Sequence, residues 1–164
     1  MNETKILIEF NGMFQKFILE SDITSKLLPK LPTELLEIIG EGLYLSPDEL
    51  LTFKSLSKIY GPLIDYQEFG NKSSYECFLN KVYINSNQEL MANICLGLIC
   101  ILKIYFKILG SDLNTKEIIF ILNTDDIGCY VTFHLYRETE NWLANDLNDY
   151  KDDGVLRIST NSIK

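Results

Sequence analysis

The sequence predicts an α+β fold, with helices concentrated in the N-terminal two-thirds packed on an antiparallel sheet formed largely by the C-terminal third. Apolar residues recur at helical spacing in several segments between residues 33 and 109, and after them the period changes from 3.6 to 2. Hydrophobic residues make up 46% of the chain and charged residues 23%, a balance typical of globular proteins. The 164 residues fit a single domain over 1–164 with a substantial core.

The first expected element is a hairpin. Asn11 and Gly12 stand between two apolar runs, and this dipeptide supplies the two positive-φ residues of a type I′ turn. The pattern predicts strands over 5–10 and 13–18. A helix from residue 13 onward is the alternative for the second run.

Two short helices are expected next. Thr33 is a candidate N-cap for a helix that stops near Gly40. The stretch SPDELLTFKSLSKIYG predicts a second helix, because Ser46 can cap it, Pro47 suits its first turn and Gly61 ends the run. Its core-facing residues would be Leu50, Leu51, Phe53, Leu56 and Ile59.

The strongest helical signal follows an ambiguous region, 62–85, in which YECFLNKVYIN fits either a short helix or a strand. The sequence SNQE, 86–89, matches a capping box and opens an apolar helix that runs to about Leu109. Its uncharged run, 92–102, is shorter than the about 20 residues that span a membrane, so we expect a buried helix and no membrane partner. The residues expected on its core face are Leu90, Ile94, Leu98, Ile101, Leu102, Tyr105 and Leu109.

The period-2 region predicts three strands, at 117–122, 129–137 and 155–160, with a turn at 123–128. Successive side chains of a strand point to opposite faces of the sheet. One face of the middle strand should therefore carry Val131, Phe133 and Leu135. The other face should carry Tyr130, Thr132, His134 and Tyr136.

Charge and cysteine usage exclude several functional classes. A net charge of −8 disfavours nucleic acid and anionic membranes as partners. The four cysteines form no CxxC pair and the chain has one histidine, so we expect no metal and no cofactor. No signal peptide is visible at the N-terminus, and a cytoplasmic location is expected.

Catalytic motifs are also missing. The sequence contains neither a Gly-rich phosphate loop nor a GxSxG elbow. His134 is interpreted as a half-buried sheet histidine, and Cys129 falls on the opposite strand face from it. We expect no enzyme, and the alternative of a catalytic site would use Asp125, Asp126, His134 or Glu138.

The most unusual stretch is YRETENWLANDLNDYKDDG, 136–154, which sets the only tryptophan, Trp142, among six carboxylates and two basic residues. A short helix over 139–150 would give this segment an apolar stripe beside its charge, and Trp142 would fasten it to the sheet. A field of one sign steers a partner of the opposite sign, although charge runs also serve as solvated faces. The predicted partner-binding residues are Glu138, Glu140, Asp146, Asp149, Asp152 and Asp153.

Residues 132–160, TFHLYRETENWLANDLNDYKDDGVLRIST, resemble the C-terminal region of small bacterial immunity proteins that accompany polymorphic or contact-dependent growth inhibition toxins. The shared pattern is a strand with F-H-x-x-R-x-x-E-x-W-L, then D-L-x-x-Y, then a closing strand. The resemblance implies a cytoplasmic inhibitor that blocks the active site of a toxin, often a nuclease with a basic cleft.

This hypothesis predicts a cognate basic toxin domain as the partner, bound by a monomer in a one-to-one complex. A carboxylate surface fits that partner, because carboxylates can take positions meant for phosphates. The alternative is a regulatory or housekeeping protein-binding module without a toxin partner.

Overall fold

The fold is built on a five-stranded antiparallel sheet, seen in a computed structural model that describes residues 4–20, 30–84, 90–125 and 128–162. The strands in chain order are β1 (Thr4–Phe10), β2 (Leu43–Leu45), β3 (Leu51–Phe53), β4 (Val82–Ile84), β5 (Ile118–Thr124), β6 (Cys129–Leu135) and β7 (Gly154–Ser162). The large sheet has the order β1-β7-β5-β6-β4, and β2 with β3 forms a separate hairpin. The strand closest to the C-terminus therefore lies inside the sheet, between β1 and β5.

The helices precede the C-terminal strands along the chain. The α-helices of the described residues are α1 (Gly12–Glu20), α2 (Thr33–Glu41), α3 (Lys54–Tyr60), α4 (Lys72–Leu79) and α5 (Leu90–Leu109). Short 3₁₀ helices lie at Tyr66–Phe69, Asp112–Thr115 and Leu147–Asp149. The predicted α+β class, the central helix and the three C-terminal strands are confirmed.

The larger part of the core lies between α5 and one face of the sheet. Phe133 contributes to it with Val131 and Leu135, as the strand alternation predicted. The Phe133 ring packs edge-on against the Phe53 ring, with the two ring centroids 5.0 Å apart. It also packs against the tilted Phe120 ring, with a centroid distance of 6.0 Å. These rings join the sheet to the β2–β3 hairpin, so α1, α2, α5 and both sheets share one apolar cluster.

Helix α5 buries a face slightly different from the expected one. Ile94 and Ile101 are buried as predicted, but Leu102 remains 53% exposed, while Cys100 and Ile104 are buried instead. Apolar residues surround this helix, so periodicity alone did not select the buried face. By length and composition α5 is the one described helix able to cross a membrane, and in the structure it packs on β5 and β6 of the large sheet.

The hairpin expected at Asn11 is wrong, and the alternative of a helix is correct. Asn11 is buried, and its Oδ1 accepts hydrogen bonds from the backbone N–H of Phe14, at 2.9 Å, and of Val155, at 3.0 Å. Its Nδ2 donates to the backbone carbonyls of Tyr150 and Asp153. Asn11 thus satisfies an N–H of the first turn of α1 and joins β1 to the C-terminal segment. In a hairpin turn the same side chain would lie in solvent.

The helix predicted to begin at Ser46 begins later. Residues 43–53 form the β2–β3 hairpin, and α3 starts only after it. The Ser46 Oγ accepts from the N–H of Leu50 inside the connecting turn, where Glu49 adopts a left-handed φ of 59°. Helix α2 is confirmed, although Pro32 rather than Thr33 occupies its N-cap. The proposed capping box at 86–89 lies outside the described residues.

Candidate functional site

The second face of the sheet is covered by residues 136–153, named the acidic layer here, and in part by Cys77 of α4. Leu143 and Leu147 are buried against Ile119 and Ile121 of β5, and Trp142 and Tyr150 pack on the same cluster partly buried. The layer is irregular apart from the 3₁₀ turn at Leu147–Asp149, so the helix predicted over 139–150 is wrong. The expected fastening role of Trp142 agrees with its packing.

Polar side chains within the layer account for the missing helix. The Asp146 Oδ1 accepts from the backbone N–H of Asn148 at 2.9 Å, and Asn141 donates to Asn145. Asn and Asp side chains offer the backbone local partners that compete with helical hydrogen bonds. The Tyr150 hydroxyl also accepts from the N–H of Ala144, at 3.1 Å. These bonds hold the layer in one loop conformation.

A buried ion pair fixes the start of the acidic layer. Arg137 donates from Nη2 to Glu76 Oε1 at 2.7 Å and from Nη1 to Oε2 at 2.9 Å. Glu76 is fully buried on α4, and its carboxylate also accepts from the N–H groups of Leu51 and Leu135. Burial raises the pKa of the Glu76 carboxyl, and the Arg137 guanidinium with the two backbone donors opposes that rise.

Asn80, one helical turn after Glu76, completes this attachment. Its Oδ1 accepts from the N–H of Phe53, and its Nδ2 donates to the carbonyls of Leu51 and Phe133. Because β4 covers only the start of β6, the side chains of Glu76 and Asn80 take the place of a neighbouring strand along the rest of that edge. The start of the acidic layer is therefore fastened to the β2–β3 hairpin and to α4.

The six predicted partner-binding carboxylates all lie on the acidic layer, but they have different environments. Three of them form hydrogen bonds within the protein: Glu140 Oε2 accepts from the N–H of Ser73, Asp146 bonds to Asn148, and Asp153 Oδ2 accepts from Asn123. The remaining three are exposed and have no ion-pair or hydrogen-bond partner within the described ranges. They are Glu138, Asp149 and Asp152.

A cavity of about 240 Å³, named the sheet pocket here, opens between the acidic layer and the strands. Its polar and aromatic lining includes Glu9, Glu117, His134, Glu140, Trp142 and Arg157. Arg157 Nε lies 2.9 Å from Glu9 Oε2, across the β1–β7 pair. Sequence reasoning missed Glu9 and Arg157, because the pairing of β1 with β7 has no signal in the linear sequence, and it missed Glu117, which lies just before β5.

His134 lies in the wall of the sheet pocket and is more buried than expected, with 4% of its surface exposed. Burial lowers its pKa to about 4, so the imidazole is neutral at neutral pH. Its Nδ1 lies 2.7 Å from the Leu135 carbonyl, which requires the proton on Nδ1 and leaves the lone pair on Nε2. A neutral histidine in this position offers one acceptor to the pocket.

The residues of the catalytic alternative are not brought together. His134 is opposite Ile119 at the start of β5, whereas Asp125 follows the end of β5 and accepts from the N–H of Gly128 in the turn. Asp126 lies outside the described residues, and Glu138 is exposed on the acidic layer. Burial raises the pKa of the Cys129 thiol to about 12, so it carries no nucleophilic thiolate.

No metal-binding group is formed by the described part of the chain, where no three His, Cys, Asp or Glu side chains converge. Comparison with known proteins gives one family match, which covers residues 9–164. No curated protein and no solved structure matches the chain. The family match extends over nearly all of the fold described above, from the end of β1 to β7, and the chain therefore belongs to the uncharacterized protein PM0498 family.

Proposed function

We propose that the protein is a cytoplasmic immunity protein that neutralises a cognate basic toxin domain, of the nuclease class, through its acidic layer. The observation that carries this proposal is the trio of exposed carboxylates without partners, Glu138, Asp149 and Asp152, on a firmly attached loop. The resemblance of residues 132–160 to immunity proteins supports the same function. One toxin domain would bind each chain.

The charge of the acidic layer is directed outward. Both of its basic residues are engaged within the protein, since Arg137 pairs with the buried Glu76 and the Lys151 ammonium donates to the Asn148 carbonyl. Only the Lys151 ammonium remains as an exposed positive charge on the layer, against the three exposed carboxylates that have no partner. A cleft lined by Lys and Arg for a phosphate backbone would form charge-assisted hydrogen bonds with such carboxylates and would be blocked by them.

The attachment of the layer favours tight binding. Its start is held by Arg137, its middle by the buried Leu143 and Leu147, and its end by Asn11, which donates to the backbone near Asp153. Loops on rigid scaffolds often carry binding residues, and a loop already ordered loses less conformational entropy when it binds. The layer combines these properties with its charge.

The decisive experiment uses the gene product encoded beside this chain. That product should be toxic when expressed alone, and co-expression of this protein should restore growth and yield a complex. The triple variant Glu138→Gln, Asp149→Asn, Asp152→Asn should fold normally but weaken the complex by about ten-thousandfold, because three interfacial carboxylates that contribute about 2 kcal/mol each sum to about 6 kcal/mol.

A matched control removes the same charge elsewhere. Glu34, Glu37 and Glu68 are exposed and lie outside the acidic layer. Their joint replacement by Gln should leave protection unchanged. Protection retained by the folded triple variant of the acidic layer would contradict the proposed binding surface, and a neighbouring product without toxicity would contradict the proposed function.

A further inference from the structure

Strand β1 forms one border of the large sheet and is unusually apolar for a free edge. Only β7 pairs with it among the described strands. Its large side chains Ile6, Leu7, Ile8 and Phe10 are between 45% and 57% exposed. An edge strand exposes unpaired N–H and C=O groups, and a long apolar one is a template for pairing with another chain.

The hydrogen bond from the Asn11 N–H to the Val155 carbonyl shows which backbone groups of β1 point towards β7 and which point to the open edge of the sheet. In an antiparallel pair, residues that bond to the neighbouring strand alternate with residues that do not. Asn11 is opposite Val155, so positions 5, 7 and 9 bond to β7. The N–H and C=O groups of positions 4, 6, 8 and 10 consequently point to the open edge.

We propose that β1 pairs antiparallel with β1 of a second copy of this chain, with Leu7 on the two-fold axis. Hydrogen bonds between the two β1 strands can form only between N–H and C=O groups that point to the open edge. Even-numbered positions of one copy must therefore be opposite even-numbered positions of the other. The registers that keep most of the strand paired place Ile6, Leu7 or Ile8 on the axis.

Charge complementarity selects Leu7 among these registers. With Leu7 on the axis, Lys5 is opposite the second copy's Glu9, and Ile6 is opposite its Ile8. With Ile6 on the axis, Lys5 would be opposite Leu7, and with Ile8 on the axis, Glu9 would be opposite Leu7. Opposite charges that are directly opposite each other stabilise a strand pair, and the two-fold axis forms each pair twice.

This dimer goes beyond the proposed function and replaces the monomer that the sequence suggested. Lys5, Leu7 and Glu9 share the sheet face that carries the pocket, since Leu7 and Glu9 line it. The second copy's Lys5 would therefore reach the Glu9–Arg157 pair at the rim of the sheet pocket. A two-fold axis perpendicular to the joined sheet places both acidic layers on the same side, so the dimer would present two binding surfaces together.

The first test is the mass of the full chain in solution, measured by sedimentation equilibrium. Wild-type protein should have twice the 18.9 kDa of one chain. The Ile8→Pro variant removes an outward N–H without removing a bond to β7, and it should be monomeric with an unchanged circular dichroism spectrum. Ile8→Val retains the N–H and should remain a dimer. A wild-type protein that is monomeric at its highest soluble concentration would overturn the proposal.

The second test probes the register and does not depend on tolerance of proline. Leu7→Cys should give a disulfide-linked dimer under mild oxidation, because the two positions are directly opposite on the axis. Ile6→Cys should not, since each Ile6 is opposite Ile8 of the other copy, and wild type controls for the native cysteines. Lys5→Glu should raise the dissociation constant by about tenfold. Cross-linking of Ile6→Cys alone, or a dimer unaffected by Lys5→Glu, would refute this register.

Discussion

The two faces of the five-stranded sheet are built from alternate residues of the same strands but are covered in different ways. On the helix face, Phe120 and Phe133 are fully buried in one large apolar cluster under α5. On the other face, Ile119 and Ile121 support a smaller cluster covered by the acidic layer. The difference indicates that the helix face supplies most of the stability, whereas the loop face holds a charged surface in place.

The largest loss of stability is expected when an aromatic residue in the core of the helix face is truncated. Phe133→Ala should lower the free energy of unfolding by about 4 kcal/mol, because it removes a buried ring that contacts two others and leaves a cavity. Urea denaturation monitored by circular dichroism measures this change. A loss below about 1 kcal/mol would mean that the helix face is not the main source of stability.

A second large effect concerns the buried ion pair that anchors the acidic layer. Glu76→Gln should cost about 3 kcal/mol, since it leaves the Arg137 guanidinium without its counter-charge in the interior. The matched control is Glu41→Gln, which breaks the exposed pair with Lys58 and should cost less than about 1 kcal/mol. Equal losses in the two variants would remove the distinction between a structural and a surface pair.

The buried histidine makes the stability of the loop face depend on pH in the acidic range. The His134 pKa is lowered from 6.5 to about 4 in the folded protein, so unfolding takes up a proton between these values. The free energy of unfolding is therefore unaffected by protonation of His134 above about pH 6.5. It falls by roughly 3 kcal/mol in total as the pH drops towards 4, because the unfolded chain gains the proton first.

Denaturation of wild type and His134→Gln at pH 7 and pH 4.5 checks this expectation. Both proteins share the titration of their carboxylates, so the comparison isolates the imidazole. Wild type should lose more stability than the variant on acidification. Parallel losses in the two proteins would show that His134 is not held neutral by the fold.

Trp142 provides a milder comparison with Phe133. It is only partly buried on the loop-face cluster, so Trp142→Ala should cost about 2 kcal/mol, less than a fully buried aromatic residue. The melting temperature should fall while the far-ultraviolet spectrum stays unchanged. A loss as large as that of Phe133→Ala would mean that the two faces contribute equally to stability.

The smallest effect on the fold is expected from salt, which should act mainly on binding. Association with the basic toxin domain should slow as ionic strength rises from 0.1 M to 1 M, because the Debye length falls from about 10 Å to about 3 Å. Stopped-flow fluorescence of the complex measures the rate. An association rate that is independent of salt would exclude steering by the acidic layer.

The sequence correctly predicted the helices and strands whose hydrophobic pattern lies within one continuous segment of the chain. The alternation along β6 and the long apolar run of α5 are properties of continuous segments, so both were identified with useful boundaries. The hairpin at Asn11 failed because its side chain bonds to Val155 and Asp153, which are more than 140 residues away. No local pattern contains such a partner.

The candidate site was predicted less well for the same reason. Composition identified the acidic layer as unusual, but helical spacing was misleading because Leu143 and Leu147 pack on the sheet from a loop. The environment of each carboxylate depends on residues distant in the chain, such as Ser73 for Glu140 and Asn123 for Asp153. Only the fold distinguished the carboxylates that hold the loop from those that are exposed.

The position of β7 between β1 and β5 has a consequence for synthesis on the ribosome. β1 is made before the other described elements, but its partner at 154–162 is made after all of them. At translation rates of about 5–20 residues per second, β1 waits on the order of ten seconds with both of its edges open. The nascent chain therefore exposes an apolar, aggregation-prone strand until residues 154–162 have been made, and the large sheet closes only after its other four strands have been synthesised.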